Sequence, residues 1–86
     1  MMTVSTLHIR ETTAAYLNRE PEEIVLFPKA EYGWFIYTGN LSAKERGVLP
    51  DELGDLIKTA QDLGCDWLCV DRDWPVEDSL KTFEWD

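Results

Sequence analysis

Eighty-six residues are enough for one small domain, and 44% hydrophobic with 29% charged residues is the composition of a globular chain, not a disordered one. Seventeen acids against eight Lys and Arg leave a net charge of −9, which repels nucleic-acid phosphates and attracts basic surfaces. The longest apolar runs, such as Ile24-Val25-Leu26-Phe27, fall far short of the ~20 residues a membrane span needs, and the N-terminus carries no basic region followed by an apolar stretch.

In chain order, Val4–Ile9 reads as a short strand and Arg10–Arg19 as a short helix. Thr12 or Thr13 could cap that helix, Glu11 favours its N-terminal end and Pro21 stops it. Ile24–Phe27 is the second strand, ended by Pro28. The central strand is Tyr32–Thr38, where Trp34 and Ile36 point to one face and Phe35 and Tyr37 to the other. Residues 41–49 read as a polar loop with one helical turn at Ser42–Glu45. The second helix opens at Pro50, with Asp51, Glu52 and Asp55 at its positive dipole end, and stops at Gly64. Leu53, Leu56, Ile57, Ala60 and Leu63 make its buried stripe; Asp51, Asp55, Lys58 and Asp62 form a band on the opposite side. Asp66–Asp71 is the last strand.

The order β-α-β-β-α-β predicts an α+β fold in a single domain, residues 1–86. Its sheet is expected to be four-stranded, antiparallel and ferredoxin-like, with two helices on one face. Residues 1–70 form the α/β core and residues 71–86 an acidic, aromatic tail. Both rows of strand side chains are apolar, so the face without helices needs a cover: the tail, a second copy, or a different protein.

The charge is uneven. Residues 1–49 hold six acids and five bases, residues 50–86 eleven acids and three bases. Asp51, Glu52, Asp55 and Asp62, with Asp71, Asp73, Glu77 and Asp78, therefore form the candidate partner-binding set. Trp74 and Trp85 serve as aromatic anchors, the residue type that dominates interface energetics.

Signals for catalysis are sparse. No phosphate-binding glycine loop, dinucleotide fingerprint, calcium loop or hydrolase elbow is present. Cys65, Cys69 and His8 are too few for a structural zinc site. The two cysteines, one before and one inside a strand, are too far apart to bridge, so reduced thiols and a cytoplasmic location are expected. Asp71 and Asp73 at the end of a strand could hold magnesium with a phosphate substrate, though no glycine-rich phosphate loop or matching lysine accompanies them and Arg72 between them weakens the site.

Four stretches carry a family likeness: Ser5-Thr6-Leu7-His8-Ile9; Glu31 to Gly39; Gly64-Cys65-Asp66-Trp67 with Asp71-Arg72-Asp73; and Thr82-Phe83-Glu84-Trp85. Together they resemble a small bacterial family, labelled a domain of unknown function, found on plasmids, prophages and other mobile elements. The resemblance brings no catalytic residues. It implies an accessory gene of a mobile element, a setting in which small acidic proteins act against host restriction or CRISPR complexes, several by imitating nucleic acid.

The expected function is therefore a non-enzymatic interaction module for a basic protein surface, with no cofactor, no direct nucleic-acid binding and no membrane. The alternatives are a small hydrolase built on Asp71 and Asp73 or on Cys69 and His8, and a structural homodimer.

Overall fold

The computed structural model describes residues 1–85. Its elements are β1 (Met2–Ser5), a 3-10 turn (Thr6–His8), α1 (Glu11–Asn18), β2 (Val25–Lys29), β3 (Gly33–Tyr37), α2 (Ala43–Gly47), α3 (Asp51–Asp62) and β4 (Trp67–Asp71). They make a small α+β domain. No described helix is long and apolar enough to cross a membrane.

The sheet runs β1-β4-β3-β2. β2 and β3 are antiparallel, as are β3 and β4, but β1 lies parallel to β4, pairing Met2 with Leu68 and Val4 with Val70. This corrects the expected all-antiparallel, ferredoxin-like sheet, which would place the first strand inside. The side chains give the reason. Leu68, Cys69 and Val70 are all buried, so β4 needs cover on both faces and both edges, whereas β1 presents Thr3 and Ser5 on one side and suits an edge.

Several boundaries also move. The first strand stops at Ser5, because the Ser5 hydroxyl accepts from the Leu7 N–H at 3.1 Å and caps the 3-10 turn that follows. Pro28 does not end β2. It sits within it, as proline can on an edge strand whose missing N–H faces outward. The helical turn of the 41–49 loop becomes α2, started by a capping box in which Ser42 and Glu45 exchange side-chain-to-backbone bonds.

α1 and α3 cover one face. Leu17, Leu53, Leu56 and Ile57 pack with Val4, Ile36, Leu68 and Val70 in a single core. Leu63 is not part of the stripe: it lies beyond the last turn of α3 and is 68% exposed. Gly64, at φ +76°, supplies the left-handed stop.

The tail packs at the other end of the first crossover, against the 3-10 turn. The Phe83 N–H donates to the Leu7 carbonyl at 2.8 Å and the Trp85 indole N–H to the Ile9 carbonyl at 2.9 Å. Leu80 packs against the core.

Candidate functional site

With the tail placed there, the β2 side of the second sheet face is left open, while Cys69, Ser5 and Asp71 on the same face are buried. The pairing registers put three cross-strand rows on it: Val25, Tyr37 and Trp67; Phe27, Phe35, Cys69 and Thr3; Lys29, Gly33, Asp71 and Ser5. Phe27 is 55% and Val25 52% exposed, and Phe35, Tyr37 and Trp67 are half-buried. The Trp67 ring organises the patch. Tyr37 meets it edge-on with centroids 5.1 Å apart, and Phe27 lies tilted at 6.0 Å. Each such pair adds about 1 kcal/mol beyond area burial, which holds the rings in place before any partner arrives.

The third row is ionic. Lys29 forms an ion pair with Asp71, sits 5.7 Å from the Phe35 ring centre and lies 4.0 Å from the Cys69 sulfur. The hydrogen bond from Lys29, then that from the Asp73 backbone, holds the Asp71 carboxyl below its ordinary value, and the same bond raises Lys29. Burial pushes the Cys69 thiol up, against the pull of Lys29. A protonated, buried thiol is a small hydrophobe, not a nucleophile. Both cysteines are free.

His8 does not complete a pair with Cys69. Its Nε2 accepts from the Glu77 N–H at 3.0 Å, so Nδ1 carries the proton and donates to the Lys81 carbonyl at 2.9 Å. Both ring nitrogens are spent on fastening the tail. Among the described residues, no group of three His, Cys, Asp or Glu side chains is arranged to hold a metal.

The structure divides the acidic set. Glu52 is buried, which corrects its place among the surface acids: it accepts from the Arg10 N–H at 2.7 Å, the Arg10 guanidinium at 3.0 Å and the Thr13 hydroxyl at 2.5 Å. A signal for this was present, since Glu52 stands four residues before Leu56, at the margin of the apolar stripe. Asp71 is likewise buried, in its pair with Lys29. Asp51 and Asp55 are exposed and line a groove of about 330 Å³ with Arg10, Lys81 and Phe83. Asp62 lies about 16 Å along α3 from Asp51, by helical rise, and pairs with Lys58 at 2.9 Å. Asp73, Trp74, Glu77 and Asp78 are exposed on the tail; Trp85 is partly exposed, fastened to Ile9. The acids do not form one continuous band, and α3 lies on the face opposite the aromatic rows. Val25, Phe27, Phe35, Tyr37 and Trp67 were visible in sequence as a second apolar row but not as a site, because alternation says nothing about where the tail goes.

A small α+β domain with one covered and one open aromatic sheet face is the class that fold and site define. The chain belongs to a family of unknown function, DUF5983: the model of that family's C-terminal domain matches residues 1–85. No curated protein and no solved structure matches the chain.

Proposed function

We propose that the chain is a non-enzymatic interaction module that docks its open aromatic face onto a basic, partly apolar protein surface. The observation that carries this reading is the uncovered row of Val25, Tyr37 and Trp67 with Phe27 beside it. Trp and Tyr anchors held in fixed geometry are what interface hot spots are made of, and monomers rarely leave such a patch in water without use. Exposed carboxylates border it: Asp66 immediately precedes Trp67, and Glu22 and Glu23 come just before Val25. With a net charge of −9, that border steers toward cationic protein surfaces and away from nucleic acid.

The setting we propose is the cytoplasm of a bacterium carrying a mobile element, with a nucleic-acid-handling host defence complex as owner of the basic surface. Phosphate imitation by the acids of α3 is the weaker version, since Lys58 interrupts the band and Glu52 is turned inward.

A photo-crosslinking side chain at position 27, compared with one at position 55, tests the reading in host cells. Position 27 should yield an adduct with a host protein that is lost on Trp67→Ser and weakened by high salt; position 55 should yield none. Adducts from position 55 alone would favour imitation by α3, and a product of twice the chain's mass alone would favour a homodimer; either overturns the proposal.

A further inference from the structure

We infer that a second site, the groove at the turn between β2 and β3, binds a flat apolar group carrying a single carboxylate. The groove measures about 390 Å³, the scale of one aromatic acid or one residue at a peptide's end. Trp34, Trp85 and Tyr32 supply its apolar walls, and Arg72, Asn18 and Glu31 its polar ones. None of these belongs to the open aromatic face, so the two readings stand or fall separately.

The two Trp walls are fixed by contacts outside the groove, and Arg72 and Tyr32 hold each other. Trp34 shares a row with the buried Val4 and Val70, yet keeps part of its indole exposed to the groove. Trp85 is held by its indole bond to the Ile9 carbonyl, 2.9 Å. Arg72 is clasped to Tyr32 twice. Its N–H donates to the Tyr32 carbonyl at 2.7 Å, and its guanidinium lies 4.7 Å from the Tyr32 ring centre. A guanidinium stacked on a ring keeps its in-plane N–H groups free, and those are the edge that grips a carboxylate. Among the described residues, the one ion pair of Arg72, to Asp73, is loose at 3.8 Å from Nε, and the Asp71 charge is near enough to interact with it.

Charge selects the ligand. One guanidinium faces the groove, Glu31 shares the lining, and the molecule as a whole is strongly negative. Arg72 can pair with one carboxylate, while Glu31 and the negative field of the molecule oppose any further negative charge and so disfavour a phosphate dianion. The aromatic walls add the requirement for a flat apolar body. The carboxylate can come from a free aromatic acid or from the C-terminal residue of a peptide.

Amide NMR of the full chain, titrated with phenylacetate, phenylacetamide, phenyl phosphate, and Ala-Ala-Ala-Phe as free acid or C-terminal amide, tests the site. Phenylacetate should shift the Tyr32 amide and the Trp34 and Trp85 indole N–H signals saturably, with a roughly millimolar Kd. Phenylacetamide should bind about tenfold or more weaker. Arg72→Gln should lose that preference and Arg72→Lys keep part of it. Because the Arg72 side chain is half-exposed, both variants should melt as the parent does. The free-acid peptide binding tighter than phenylacetate assigns the site to a chain end; the reverse assigns it to a free acid. Equal binding of acid and amide, tighter binding of phenyl phosphate, shifts centred elsewhere, an absence of saturation, or an unaltered Arg72→Gln would each overturn the inference.

Discussion

A carboxylate taken out of water has to be met by donors, and Glu52 is met by the Arg10 backbone, the Arg10 guanidinium and the Thr13 hydroxyl. Burial by itself would raise its pKa. The bonds from Thr13 and the backbone, with the charge of Arg10, outweigh that and hold it below the ordinary glutamate value. Glu52→Ala strands the Thr13 hydroxyl and the Arg10 N–H, and should cost about 2 kcal/mol in urea unfolding at pH 7. The pH dependence follows from the depressed pKa. The charge contributes fully above the unfolded value near 4.3 and is lost as pH falls through the lower folded value, so the gap between parent and variant should narrow below about pH 4. Gly33 is constrained differently: a Cβ there would stand 1.7 Å from the Val70 carbonyl oxygen, at a φ of +155° that L residues rarely adopt. Gly33→Ala should therefore force β3 and β4 apart and cost about 3 kcal/mol or more, read from the urea midpoint. Within the aromatic strand, alternation showed which side chains share a face. It did not show that the backbone of β4 passes this close to Gly33.

Elements with a strong period were legible; those held by remote contacts were not. α3 announces itself through Leu53, Leu56, Ile57 and Ala60, and its stop through Gly64, because helical spacing and a left-handed cap are local properties. Strand faces were equally readable at Trp34, Ile36, Leu68 and Val70. Strand neighbours were not, since a two-residue period fixes a side chain's face but not the strand beside it. The tail is the extreme case. Its hydrogen-bond fastening is one bond each to Leu7 and Ile9 and two to His8, residues with no pattern linking them to positions 77–85. The candidate site was half legible for the same reason: two apolar rows could be read, while the choice between acids and aromatics depended on the tail. His8 is the central fastener, so His8→Ala should free this segment while the sheet persists. Limited proteolysis is the measurement, with cleavage between residues 76 and 83 expected to speed up about tenfold or more.

At the scale of the molecule, the acids of α3 and the aromatic rows lie on different sides, with Asp66, Glu22 and Glu23 at the border of the rows. The helices and the exposed carboxylates of Asp51, Asp55 and Asp62 occupy one side, while the aromatic rows occupy the other with a single ion pair, Lys29 with Asp71, among them. A partner that meets one side leaves the other in solvent. The parallel edge β1–β4 has a different consequence, for assembly in time. β2 and β3 pair through a short turn and β4 joins β3 across the α2–α3 segment, but Met2–Ser5 must wait for Leu68–Asp71, the pairing most distant in sequence and the last rung of the ladder to be made. Val4→Ala should accordingly hasten unfolding several-fold and leave the refolding rate almost untouched in stopped-flow chevrons. The strand that begins the chain is the keystone set last, and native opening should start where it comes out.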